Sequence, residues 1–171
     1  MILTRSAIAK AVEAGEITIT PFDAGRLNPN SYNYSLGEEI RFTTQKTLDA
    51  KANAPWLTTG IPDEGYLLRP GRLYLATTAE VIGSTTFVTS LIGRSSMGRL
   101  GLFVQVTADL GHQGAIHRWT LELTVVQPLR VYAGMRLGQV SFWRTSGTVT
   151  AYGGAYGDAM APMPALPTSL T

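Results

Sequence analysis

The second half of this chain has a rhythm that few folds accommodate. β-prone runs at about 85–92, 101–107, 119–126, 129–132 and 136–144 are each cut short by Gly, Pro or a Gln-Pro break. Strands this brief cannot stand alone. Repeated at such spacing, they predict an all-β architecture, a sandwich or distorted barrel closed to protect its strand edges. The first half agrees. Ile17 and Ile19 alternate with Thr18 and Thr20 until Pro21 ends the run. An Asn28-Pro29-Asn30 turn leads into Tyr32, Tyr34 and Leu36 at period two, giving a strand with one aromatic face. Tyr66–Arg69 and Arg72–Thr78, joined by Pro70-Gly71, read as a hairpin. One short helix is expected over 4–14, with Thr4 at its N-cap, Ile8 and Val12 at i, i+4, and Gly15 to stop it. Residues 43–64 are polar and read as an exposed loop with at most a short strand.

Size and composition fit a single core. The chain has 171 residues, 44% of them hydrophobic and only 15% charged, which suits one domain and excludes disorder. That domain is expected over 1–151. The remainder, 152–171, is a Gly/Ala/Pro-rich tail expected to stay mobile until something orders it. A net charge of +2 without a basic run gives nucleic-acid binding little support. No apolar stretch approaches the roughly 20 residues that span a bilayer, and Arg5 and Lys10 are followed by no continuous apolar segment of the signal-peptide kind. The expectation is a cytoplasmic protein with neither nucleic-acid nor membrane partners.

The absence of cysteine excludes a whole chemistry. Zinc-dependent nucleobase deaminases hold their metal with two or three Cys beside a His or Cys, and this chain has none. His112 and His117, its two histidines, cannot close a structural zinc site unaided. Surface or hydrogen-bonded roles suit them better than a metal pair. No zinc is expected, and hydrolysis would have to activate water with side chains alone or with Mg²⁺ brought in on phosphates.

Two segments carry candidate chemistry. In Gly93-Arg94-Ser95-Ser96-Met97-Gly98-Arg99-Leu100-Gly101, two Arg flank two Ser between glycines. Hydroxyls, guanidinium forks and accessible N–H groups are what a polyphosphate needs; a Gly-rich turn with ordinary surface arginines reads equally well. In Trp119-Thr120-Leu121-Glu122-Leu123-Thr124-Val125, period two sets the apolar residues on one face and Glu122 on the other. There the carboxylate either faces water or sits in a pocket, where it could pass protons to and from a water molecule. Tyr32, Tyr34 and Trp119 could stack on a base, but core packing is the better reading.

Taken in order, the blocks Asn28-Pro29-Asn30-Ser31-Tyr32-Asn33, Leu36-Gly37, Tyr66 to Gly71, Gly93 to Leu102, Thr120-Leu121-Glu122-Leu123 and Gly134-Met135-Arg136-Leu137-Gly138-Gln139 resemble the dCTP deaminase family, related to trimeric dUTP pyrophosphatases. The resemblance covers nearly the whole chain. It implies a homotrimer of distorted, jelly-roll-like β-barrels with active sites shared at subunit interfaces. The substrate would be a pyrimidine deoxynucleotide, dCTP, deaminated to dUTP and ammonia, with Mg²⁺ bound only through the triphosphate. Carried onto this sequence, Glu122 becomes the general base, Ser95 and Arg99 orient the water and the base region, and Arg94 and Ser96 contact phosphates. Ala108 and Tyr156 complete the nucleotide site.

This sequence also departs from the family pattern. Where the family has a loop ending Ile-Asp-Pro-Gly-(aromatic)-x-Gly, it reads Gly111-His112-Gln113-Gly114-Ala115-Ile116-His117, so His112 fills the Asp position. In the pyrophosphatase relatives that Asp activates water toward the phosphate chain, so its loss argues against dUTP hydrolysis and a dUMP product. Leu110 stands where many monofunctional deaminases carry Arg. In the tail, Ala155 and Ala159 replace the Lys and Gln of the family lid; Asn33 replaces a usual Asp, and Val125 a usual Asn. The alternatives are therefore a nucleoside triphosphate pyrophosphatase, a deaminase of a modified nucleotide, or a nucleotide-binding trimer without catalysis.

Overall fold

The computed structural model describes residues 1–104, 108–157 and 159–167. The expected strand over 101–107 therefore lies partly outside the described residues, as do Asp158 and the last four residues of the tail.

The helix forms where the pattern put it. α1 (Arg5–Glu13) follows Thr4, which stands extended at the N-cap position without a side-chain capping hydrogen bond, and it buries Ile8 and Ala11. Fourteen strands follow among the described residues: β1 (Ile17–Thr20), β2 (Tyr32–Ser35), β3 (Glu39–Phe42), β4 (Leu57–Gly60), β5 (Tyr66–Leu68), β6 (Tyr74–Thr77), β7 (Val81–Ser84), β8 (Val88–Gly93), β9 (Leu102–Val104), β10 (Leu110–Gly111), β11 (Ile116–His117), β12 (Thr120–Val125), β13 (Leu129–Val131) and β14 (Arg136–Trp143). A second helix, α2 (Ser95–Arg99), separates β8 from β9. No helix among the described residues is long and apolar enough to cross a membrane.

The strands assemble into four sheets ordered β1-β7-β11, β10-β8-β14-β2, β4-β3-β6-β12-β9 and β13-β5. Every pairing is antiparallel. The all-β expectation holds, but among the described residues the sheets do not close into a barrel. Instead they enclose one core, built from Tyr32, Tyr34, Leu36, Ile40, Tyr74, Leu91, Leu121, Leu123, Val140 and Phe142. Apart from Leu36, in the bridge that follows β2, those residues come from the two large sheets, whose inward faces stack on one another.

One local expectation needs correction. The segments around Pro70-Gly71 do turn back, but they are not paired with each other. β5 joins β13, while β6 lies between β3 and β12. β6 is buried along its whole length, so it belongs in the centre of a sheet, whereas β5 supplies only Leu68 as a fully buried side chain. Tyr32 and Tyr34 share one face of β2 as expected, and the other face is buried as well. Asn33 satisfies its amide on Arg26 O and Asn28 Oδ1, at 3.2 and 3.1 Å. The Ser35 N–H donates to Glu80 Oε2 at 2.9 Å. Glu80 in turn pairs with Arg26 at 2.7 Å, its side chain only 2% exposed, so the polar face of this strand is compensated inside the protein.

Close approach dictates one glycine. Gly83 in β7 lies under β11, and a Cβ placed there would stand 2.1 Å from the Ala115 carbonyl and 2.6 Å from Ile116 Cα. No side chain fits between two backbones this near.

Candidate active site

β12 carries the site. Leu121, Leu123 and Val125 enter the core, while Thr120 and Glu122 face the other way, as period two requires. On that side lies a cleft of about 490 Å³, within the range of small-molecule sites. Glu122 lines it, half-buried, together with Thr120, Leu75 of neighbouring β6, Trp119, and both histidines. The pocket alternative for Glu122 is thus the one realised. It is the one carboxylate among the described lining residues.

Aromatic rings shape the rest. His117 is buried, its ring 4.3 Å from that of Trp119, and its Nδ1 lies 2.9 Å from Arg118 O. Trp119 is anchored by its Nε1–H, which donates to Ile82 O at 2.9 Å. His112 is exposed and stacks on Tyr152 at 5.3 Å. These two rings also border a second cavity, of about 420 Å³, lined by Val88, Gln113 and the 145–153 stretch. Tyr32 and Tyr34 are core residues, as expected.

The tail lies along the cleft, held largely by main-chain atoms. Arg118 N–H donates to Ala159 O at 3.0 Å, Met163 N–H to Thr120 Oγ1 at 3.0 Å, and Arg41 Nη1 to Pro162 O at 2.6 Å. Leu166 N–H donates to the Tyr156 hydroxyl at 3.1 Å. Tyr156, Ala159, Met163, Pro164 and Ala165 thereby become part of the cleft wall.

Of the residues expected at the site, Glu122, Ala108 and Tyr156 line this cleft; Arg94, Ser95, Ser96 and Arg99 do not. The last four belong to α2 and its N-cap, where Ser95, Ser96 and Arg99 are exposed. Register explains the separation. β9 leaves α2 with Leu102 opposite Val125, and Glu122 stands three residues further along β12, about 10 Å at the strand rise. Sequence reasoning missed Trp56 and Leu48, which reach the cleft from the polar 43–64 loop. A lone Trp in such a loop was the available signal.

Fold and cleft define a β-sheet protein with a carboxylate in an aromatic-walled pocket. The family described as dCTP deaminase-like matches residues 2–145, and this chain belongs to it. Similar curated relatives include a "dCTP deaminase, dUMP-forming" of Leptospira biflexa, 44% identical over 152 residues, covering 89% of this chain and 87% of the relative. A protein of the same name from Clostridium beijerinckii is 42% identical with the same coverage. A "dCTP deaminase" of Rhodopirellula baltica is 44% identical over 132 residues, covering 77% and 67%. Among solved structures, 2'-deoxycytidine 5'-triphosphate deaminase from Agrobacterium tumefaciens superposes with a TM-score of 0.65 at 20% identity. The match covers 82% of this chain but 47% of that longer one, and it bears on the fold alone.

Proposed function

We propose that this chain hydrolyses the 4-amino group of the cytosine in dCTP, with Glu122 as general base. The observation that carries the reading is Glu122 set in an aromatic cleft beside Ala108 and Tyr156, in a chain of this family. Glu122 takes a proton from water as the oxygen adds to C4. It then passes protons to the ring nitrogen and to the departing amine, so that ammonia leaves and a uracil ring remains. The relatives named dUMP-forming support dUMP, with loss of diphosphate, as the end product in place of dUTP. The balance is dCTP and two waters giving dUMP, ammonia and diphosphate. His112, in the cleft where the family resemblance puts an Asp, favours a second reading in which the reaction stops at dUTP.

Mg²⁺ would enter on the triphosphate and neutralise phosphate charge. Ser95 and Arg99, with Arg94 and Ser96 for phosphates, would be supplied to each cleft by a neighbouring copy in a homotrimer. The exposed apolar Leu100, Phe103 and Val126 around α2 support a covered surface there.

The test measures ammonia and diphosphate separately from dCTP with Mg²⁺. Glu122→Gln should lower ammonia release by about 10²- to 10⁴-fold and leave dCTP affinity nearly unchanged. Wild-type turnover in that variant would refute the assignment. Ammonia without diphosphate would select the dUTP product.

A further inference from the structure

We propose that His117 reads the sugar of the nucleotide, its Nε2 accepting a hydrogen bond from the deoxyribose 3′-hydroxyl. This rests on the nucleotide reading above and adds a specificity-determining residue to it.

The tautomer follows from the partner. His117 Nδ1 lies 2.9 Å from Arg118 O, and a carbonyl oxygen can only accept. Nδ1 therefore carries the hydrogen, and in the neutral ring Nε2 presents a lone pair. Among the described residues no donor engages Nε2. The ring cannot easily turn to find one. Trp119 covers it at 4.3 Å, and Trp119 is itself held by Ile82 O, the residue opposite His117 in the β7–β11 register. His117 is thus a pre-oriented acceptor, only 5% exposed, on the wall of the cleft.

The other lining groups narrow what it meets. Glu122 serves the base. Thr120 Oγ1 and the Tyr156 hydroxyl already accept N–H groups of the tail, and as rotatable hydroxyls neither is a fixed lone pair of the kind His117 presents. A lone pair repels phosphate oxygens, so the group before Nε2 must be a donor. Under the proposed reaction Glu122 takes the 4-amino group and its water, and the donor left for His117 on the same cleft is the sugar hydroxyl. A buried acceptor that loses its only donor penalises the ligand that lacks it.

The experiment measures binding by calorimetry and ammonia release, for dCTP and for 2′,3′-dideoxycytidine triphosphate. Wild type should bind the dideoxy analogue about 10- to 100-fold more weakly than dCTP. His117→Phe should lower dCTP affinity to the analogue's level and leave the analogue's own affinity in place. His117→Gln, which keeps an acceptor oxygen, should restore part of the difference. Undiminished discrimination in His117→Phe overturns the proposal. Discrimination that depends on His117, in a wild type that releases no ammonia, upholds it and refutes the catalytic reading instead. Should the Phe variant not fold, ¹⁵N spectra of the wild type decide. The Nε2 resonance should move with dCTP and not with the dideoxy compound, and equal movement with both overturns the proposal.

Discussion

Replacing Gly83 by Ala tests how rigidly the fold holds the cleft wall. The added methyl would sit 2.1 Å from Ala115 O, where ordinary contact begins at 3.4 Å, so β7 and β11 must separate by about 1.3 Å. Both crowded groups, the Ala115 carbonyl and Ile116 Cα, are backbone, and no rotamer change relieves them. β11 is only two residues long and held by two register pairs. Overpacking of this kind costs about 1–3 kcal/mol, and a backbone clash belongs at the upper end. With a urea slope of about 2–3 kcal/mol/M for a chain of this size, the unfolding midpoint should fall by about 1 M. Ala115 and His117 ride on the displaced segment, so kcat/KM for ammonia release should fall by about 10²-fold as well, the usual consequence of misplacement near 1 Å. The assay is urea unfolding followed by circular dichroism, alongside initial rates. Gly60→Ala, where a Cβ meets nothing within 4 Å, serves as control. A Gly83→Ala protein with the control's midpoint and rate would refute the claim that the β7–β11 approach fixes this wall.

Three further outcomes are expected. Glu80→Ala leaves the buried Ser35 N–H without its acceptor and half-buried Arg26 with only Asp23 and Ser35 Oγ, and should cost about 1–3 kcal/mol in urea unfolding; replacing Arg26 by Met together with Glu80 should not deepen that loss by more than a few tenths of it. Burial raises the pKa of Tyr32, Tyr34 and Tyr66 above the ordinary 10.0. The folded state then keeps protons that the unfolded chain releases, so this stability is full below 10.0 and is lost as pH rises through the folded values. Urea midpoints should drop as pH rises above about 10, less steeply in Tyr34→Phe. Arg41→Ala removes the donor to Pro162 O, which should quicken thermolysin cleavage of the tail and raise KM for dCTP several-fold with kcat less affected.

Where the period was long enough, the sequence was sufficient. Leu121, Leu123 and Val125 point inward as alternation demands, and α1 starts just after Thr4 with Ile8 on its buried face as the periodicity required. Pairing partners were less legible. Nothing local in Tyr66–Thr78 says that β5 and β6 part company, since that depends on which sheets have room for a fully buried strand. β10 and β11, two residues each, fall below any periodicity, yet they hold Leu110 and His117 at the cleft. Glu122 was visible as a misfit in an apolar strand. That α2 would stand apart from it was not, because the intervening register is set by β9. His117 resembled any other histidine until its neighbours Arg118 O and Trp119 were in place.

The grip on the tail has an evolutionary corollary. Its clasps use Ala159 O, Pro162 O and Met163 N, atoms that every residue possesses or nearly so. Side chains in this stretch can therefore drift widely, as its Gly/Ala/Pro character suggests, without unfastening it. Inserting or deleting a single residue is another matter, for it would throw all the clasps out of phase together. Length, rather than spelling, is what selection has to guard here.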